Sequence, residues 1–429
     1  LSRALGADGR PYHAAGASDA QELAATISAA LEHLRALEKQ DVGVTEGASQ
    51  ILFRLALDAN IFAGAVKQRA LRVLWTNICE SCGDQQAASS FKLHAETATR
   101  MLHRFDPWVN QLRTTASTLS AAIGGADYLS THGYDEVSVL PSALASRVAR
   151  NNQLMLQQES HLHAVADPMG GSGFAESYTD ALVEKAWAEL QQLEQEGGLI
   201  ASLTAGKFQA RIAETKEERL KAIAKRKQPL TGVSEFPNLD DTPPAGDSVD
   251  WDSELKAALD RADTQFLPLP DGAPAFCDPL EPSVLGEQFE ALRLAALGNG
   301  SAPTCALITL GTQAQYTPRA TFIDNLLAAG GLHSARAGEL SNIEAAVSAW
   351  KQSGSSVAIL CGADANYEEQ AVDITTALKA AGCKHIYCAG KGGALEDSLN
   401  AAGIKGYIAM GMDVVSLLQQ LHADLEVRS

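Results

Sequence analysis

Four groups of residues carry side chains that could do chemistry. Cys79 and Cys82 stand at Cys-x-x-Cys spacing, the spacing of a redox pair or of half a zinc site. No second ligand pair sits at matching spacing, and the motif closes a helix read over Lys67–Glu80 rather than opening one. A structural role for both thiols is the stronger reading. His161 and His163 are two residues apart, with Asp167 following, and in a strand they would share a face and could hold a metal. Here they follow the end of a helical run, where an imidazole more often bonds loose carbonyls.

Gly170-Gly171-Ser172-Gly173 could cradle a phosphate, but it lacks the Lys-Ser/Thr ending of a Walker loop. A tight turn before a helix over 179–195 fits better. Lys221, Lys225, Arg226 and Lys227 form the basic cluster of an otherwise acidic chain. They could hold an anionic ligand, or simply complement a helix C-terminus in solvent; the second reading wins on residue types alone. No Ser/His/Asp or Cys/His arrangement stands out, and neither does a paired-carboxylate spacing.

The elements that must position these groups fall into three stretches. Residues 18–235 are mostly helical in period. Ile27, Leu31, Leu34 and Leu37 share one helix face, and Leu182, Ala186 and Leu190 share another. Short apolar runs such as Ser49–Ala56 separate the helices, the alternation of βα units and a parallel sheet. Residues 236–282 carry eight prolines among Asp and Gly, a wrapping linker with one short helix near 252–262. Trp251, Phe266, Leu267, Leu269 and Phe276 favour its packing on a surface. From 303 to 429, strands at 305–310, 333–337, 357–361, 385–389 and 406–409 alternate with helices at 319–329, 342–353, 367–381, 393–402 and 413–425. That is an open α/β sheet of flavodoxin-like type, whose ligands bind at the strand C-termini.

The 429 residues suit two or three domains, and 46% hydrophobic residues can build a large core. The formal charge of −18 argues against a nucleic-acid face and a polybasic membrane anchor. No apolar run approaches the roughly 20 residues of a membrane helix. The chain starts Leu1-Ser2-Arg3, with neither signal peptide nor initiator Met, so we expect it to have been trimmed or to begin inside a larger product. Seven scattered Cys suit a reducing compartment, with cytoplasm expected.

Several runs resemble the methylmalonyl-CoA mutase family of cobalamin-dependent isomerases. They include Ala149-Arg150-Asn151-Asn152-Gln153-Leu154, Glu159-Ser160-His161-Leu162 and Val165-Ala166-Asp167-Pro168-Met169-Gly170-Gly171-Ser172. Glu184-Lys185-Ala186-Trp187 and the run from Lys227 to Asn238 (Lys-Gln-Pro-Leu-Thr-Gly-Val-Ser-Glu-Phe-Pro-Asn) also match, as do Gly124–Asp127, Tyr134–Glu136 before Pro141, and Phe289–Arg293. The resemblance covers nearly the whole chain. It implies part of a TIM-type β/α barrel over 1–235, a linker over 236–302, and a flavodoxin-like cobalamin-binding-type domain over 303–429. Tyr12–Ala17 resembles a strand partway round that barrel, so the first barrel strands would lie outside this chain.

The departures from the family pattern matter as much. Its cobalamin domains carry Asp-x-His-x-x-Gly, the His ligating cobalt. Here Gln313, Gln315 and Pro318 take those three places. In the barrel, the family's catalytic His falls at Pro11 or at His13, depending on register, and its Leu-His-Thr-Asn reads Leu129-Ser130-Thr131-His132. The resemblance therefore implies the small, non-cobalamin-binding subunit of a heterodimeric mutase. We expect no catalytic, cofactor-binding or metal residue on this chain, adenosylcobalamin in the partner, and a large catalytic subunit as that partner. The complex would interconvert (R)-methylmalonyl-CoA and succinyl-CoA. The alternatives are a stand-alone mutase holding cobalamin near Gly311, Gly362 and Gly390, or an acyl-CoA-binding scaffold. Pro318 is expected in the first turn of a formed 319–329 helix.

Overall fold

The computed structural model describes residues 3–137, 142–243 and 277–427. The helix expected near 252–262 and the aromatic residues of the 251–276 stretch lie outside the described residues, as does Pro141. The chain is mixed α/β with parallel sheets. It divides into two compact units, Leu1–Glu218 with Pro243–Leu285, and Arg219–Thr242 with Gly286–Ser429. Among the described residues no helix is long and apolar enough to cross a membrane.

Up to residue 224 the order is β1 (Leu5–Asp8), α1 (Arg10–Ala14), α2 (Asp19–Glu38), α3 (Val44–Ser49), β2 (Ile51–Leu57), α4 (Ile61–Ser81) and β3 (Leu93–Thr97). Then follow α5 (Pro107–Ile123), β4 (Tyr128–Ser130), α6 (Ala143–Gln158), α7 (Gly173–Gln195), α8 (Leu199–Thr204) and α9 (Lys207–Ala224). The four strands pair in parallel and in chain order, β1-β2-β3-β4. Sequential parallel strands with helical crossovers are consistent with a TIM-like barrel domain.

Strand alternation sorts the two faces of this sheet. Ala7, Phe53, Leu55 and Leu93 enter the core with Leu23 and Ile27 of α2, Leu71 and Trp75 of α4, and Leu182 and Leu190 of α7. Phe53 anchors that core, edge-on to Trp75 at 4.9 Å and stacked on Phe91 at 4.8 Å. The other face carries a lateral row, Asp8, Arg54, His94 and Tyr128, set by the pairings Asp8 to Arg54, Arg54 to His94 and His94 to Tyr128. These four are half-buried or exposed.

Caps set the helix starts. Ser18 and Gln21 form a reciprocal capping box on α2, and Asn60 Oδ1 accepts the Ala63 N–H on α4. The Cys-x-x-Cys helix thus begins at Ile61, six residues before the expected start. The helix expected from 179 begins at Gly173, where the Ser172 hydroxyl caps the Ala175 N–H.

The second unit contains α10 (Glu287–Leu297), β5 (Thr304–Thr309), α11 (Gln313–Ala329), β6 (His333–Arg336), α12 (Ile343–Ser353), β7 (Val357–Cys361), α13 (Val372–Ala380), β8 (His385–Ala389), α14 (Glu396–Ala402), β9 (Gly406–Ile408) and α15 (Val414–Asp424). Its five strands are parallel in the order β6-β5-β7-β8-β9, so the strand order reverses between β5 and β7. β7 is buried at every residue, as a parallel strand covered on both faces should be. The helix α10, with Phe289 and Leu292 buried, lies inside the stretch expected to be linker.

α11 corrects the expectation about Pro318. The helix is formed, but it starts at Gln313, so Pro318 lies in its second turn and not its first. Gln315 explains the earlier start. Its Oε1 reaches back to the Thr312 N–H at 2.8 Å, satisfying a donor the first turn leaves open.

Candidate functional site

In parallel α/β architecture, chemistry collects where the strands end. Each unit places a polar cluster there.

In the first unit, His13 follows β1, Asp58 follows β2 and Arg100 follows β3. His13 is buried, with Nδ1 2.8 Å from Glu22 and Nε2 3.3 Å from Asp58. The Arg100 guanidinium pairs with Asp58 at 2.5 Å and donates to the His13 and Ala17 carbonyls at 2.9 Å. Behind His13, the fully buried Glu22 accepts from Lys67 Nζ at 2.7 Å and from the Ala56 N–H at 2.9 Å. Lys67 also reaches Asp19 at 2.8 Å.

Burial alone would push the Glu22 carboxyl up, but Lys67 and His13 outweigh it and hold it at about 2. Asp58 is likewise held well below the usual range, burial being overcome by Arg100 and His13. His13, Asp19 and Glu22 bring three potential ligand atoms within 4.8 Å. The Lys67 ammonium already bridges the two carboxylates, so the protein supplies its own cation at that point.

A second cluster lines the less buried face. Glu96 pairs with Arg10 and with His132 Nε2 at 2.9 Å, and His132 Nδ1 lies 3.1 Å from Glu136. Burial would lower the His132 pKa; hydrogen bonds to Glu136 and Glu96 raise it to about 9. Glu96 falls to about 2, burial being outweighed by His132 and Arg10. Every acid here has a cation and every cation an acid, the pattern of a locked network rather than of a poised base.

The residues singled out in the sequence lie apart from these clusters or enter them differently. Cys79 is buried in α4 and burial lifts its thiol to about 12, while Cys82 is exposed at the helix end. His163 Nδ1 lies 3.2 Å from the Gln157 carbonyl, the contact expected of a helix-end imidazole, and the His161 and His163 rings are 6.1 Å apart. Asp167 pairs with Arg69 of α4, and Gly170–Ser172 form the turn before α7. Within the basic run, Arg226 turns back to Glu235 and the Asn325 carbonyl. Pro11 is exposed in α1, so of the two aligned positions His13 is the buried one.

In the second unit the strand order reverses beside Gly311 and Gly362, the customary place for a ligand. The chain's own side chains fill it. Gly311 has φ +85°, and a Cβ there would come within 2.7–2.8 Å of the Asn366 amide and closer still to Gln315 Oε1. Arg319 lies over the Tyr367 ring at 4.8 Å, bonds the Gly362 carbonyl, and pairs with Asp364 at 2.5 Å. A Cβ at Gly390 would meet that guanidinium at 3.3 Å. Tyr367 locks the floor, its hydroxyl donating towards the Leu360 and Ala389 carbonyls and accepting the Gly362 N–H.

This filling bears on cobalamin, the cofactor of the resembled family. The Asp-x-His-x-x-Gly loop of that family offers cobalt an imidazole nitrogen. Gln315 offers an amide whose oxygen is already committed to Thr312. The residues at this loop do not fit cobalt ligation of that kind.

The sequence profile of the family described as Methylmalonyl-CoA mutase matches residues 2–263. The chain belongs to the methylmalonyl-CoA mutase family. It is 39% identical over 420 residues to a methylmalonyl-CoA mutase small subunit of Streptomyces virginiae, covering 97% of this chain and 63% of that one. It is 36% identical to a probable methylmalonyl-CoA mutase small subunit of Mycobacterium tuberculosis, with 98% and 64% covered. To the small subunit from Propionibacterium freudenreichii subsp. shermanii it is 32% identical, with 97% and 62% covered. The chain thus spans a little under two thirds of the length of these curated relatives.

Sequence reasoning missed Glu22 and Lys67. The signal was present: each is an ionisable residue inside an apolar helical stripe, Ala20–Ala30 and Ala63–Ala70, where an unpaired charge would be costly.

Proposed function

We propose that this chain is small-subunit material of a methylmalonyl-CoA mutase, non-catalytic itself, working with a large subunit that carries adenosylcobalamin. The assembly interconverts (R)-methylmalonyl-CoA and succinyl-CoA in the cytoplasm. In this reading residues 1–235 are part of a TIM-type barrel, 236–302 link, and 303–429 form a flavodoxin-like domain of cobalamin-binding type without its His ligand.

The observation that carries the proposal is the crevice beside Gly311 and Gly362. Gln315 and Asn366 pack over Gly311, and Arg319 lies across Tyr367 against Gly390. A corrin would have to displace all three. The locked ion pairs at the first unit's strand ends support the same assignment, since none leaves a base poised for proton transfer. The relatives named as small subunits disfavour the two alternatives, a stand-alone mutase and an acyl-CoA scaffold.

Co-expression tests it. A tagged copy of the chain is expected to co-purify with a larger chain carrying Asp-x-His-x-x-Gly, and cobalamin should follow the larger chain. Isolation of this chain alone with bound cobalamin and isomerase activity would sink the proposal.

A further inference from the structure

The described end of the linker, Asp278 to Leu285, forms neither helix nor strand up to Val284. It is nevertheless fastened at every second or third residue. Gln209 Nε2 of α9 donates to the Asp278 carbonyl at 3.3 Å. Leu280 packs, half-buried, against the core of the first unit. The Ser283 N–H donates to the Ala14 carbonyl at 2.9 Å, and the Leu285 N–H donates to the Arg100 carbonyl at 2.9 Å. All four anchors lie within the first unit. Pro279 and Pro282 fix φ near about −65° at two positions, so the segment is stiff and loses little freedom on docking.

The last two anchors bear on the strand-end cluster. Ala14 ends α1 directly after His13, and its carbonyl is one that the helix itself leaves open. Arg100 is the hub. Its guanidinium pairs with Asp58 and holds the His13 and Ala17 carbonyls, while its own carbonyl takes the Leu285 N–H. One extended segment therefore ties the end of α1 to the turn after β3. His13 and Arg100 are 1% and 5% exposed at this joint. Glu281 and Pro282, between the anchors, are exposed. A segment held by a few backbone bonds opens locally at lower cost than its unit unfolds.

We propose that residues 278–285 are a strap that holds the strand-end mouth of the first unit shut. Seated, it clamps α1 to the turn after β3 around His13, Asp58 and Arg100. Released, it lets those two segments open together and brings the buried acid–base pairs to solvent. The device needs only contacts within the first unit, so it is independent of the proposed function.

Hydrogen–deuterium exchange of the full chain, read by mass spectrometry of its peptides, tests this. The Ala15, Gly16, Ala17 and Leu102 amides donate to the Pro11, His13, Tyr12 and Thr99 carbonyls, so they report the two clamped segments. Leu285→Pro removes the N–H that Arg100 takes. Leu280→Ser removes the apolar anchor and leaves every backbone bond of the strap in place. Each should speed exchange at both segments about tenfold, the weight of one anchor, while the amides of α4 around Leu71 and Trp75 keep their wild-type protection. Leu280→Ser decides the matter by itself if Leu285→Pro does not fold. Unchanged exchange at both segments in Leu280→Ser overturns the proposal. So does acceleration at only one of the two segments, or equal acceleration in α4, which would mark a general loosening of the unit and not a strap.

Discussion

Lys67→Met tests how much the first unit depends on its buried ion pairs. The ammonium is 1% exposed and bridges Asp19 at 2.8 Å and the fully buried Glu22 at 2.7 Å. Methionine preserves most of the volume and removes the charge. Glu22 keeps His13 and the Ala56 N–H as partners, so it is weakened rather than orphaned. Its carboxyl sits at about 2 against an ordinary 4.5, which corresponds to about 3 kcal/mol at neutral pH. Removing one member of a buried pair typically costs about 3–5 kcal/mol, which agrees.

We expect the first unit to lose about 3 kcal/mol. With a slope of about 3 kcal/mol per molar urea, its midpoint falls by roughly 1 M. Tryptophan fluorescence during urea titration reads this through Trp75, which packs on the core phenylalanine of β2. The double variant Glu22→Gln with Lys67→Met should recover at least about 1 kcal/mol of the two single losses added together. The pH dependence has a definite sign. Glu22 is depressed in the folded state, so its contribution is present above 4.5 and is lost as pH falls towards about 2. Much of that acid-sensitive limb should be missing in Lys67→Met. A loss under about 1 kcal/mol, with no coupling in the double variant, would refute the reasoning.

Three further outcomes are expected. The His132 ring, raised to about 9, should titrate near that value by NMR; its contribution to stability is present below 6.5 and lost as pH rises through about 9, and His132→Gln should remove that alkaline dependence. Gly311→Ala places a Cβ against Gln315 and Asn366 at a φ of +85° and should cost at least about 1 kcal/mol in thermal unfolding of the second unit; a neutral result would contradict the close packing described there. Pro318→Ala restores an N–H in the second turn of α11 and should stabilise by about 1 kcal/mol or be neutral, whereas clear destabilisation would show that the proline is needed there.

Much of the second unit is legible in the sequence because its central strands are almost wholly buried. Val357–Cys361 reads as a continuous apolar run, and His385–Ala389 as one after its first residue; they appear as β7 and β8 with those bounds. Helix starts were harder. The sequence places α11 at 319–329 with Pro318 in its first turn, yet Thr312-x-x-Gln315 is the stronger signal and sets the start at Gln313. α7 starts at Gly173 rather than at 179, because Ser172 is a good N-cap. The strand-end cluster was out of reach for a different reason. His13, Asp58 and Arg100 are 42 to 87 residues apart, and only the pairing of β1, β2 and β3 brings them together. Gln313 and Gln315 were legible as losses, but the part played by Asn366 and Arg319 in filling the crevice needed the fold.

The account rests on a crevice that the chain fills for itself, and titration of the isolated chain with adenosylcobalamin, followed by absorbance, tests that most directly. No saturable spectral change is expected, while a large subunit titrated in parallel should bind. A saturable one-to-one change with this chain alone, retained in Gln315→Ala, would contradict the account.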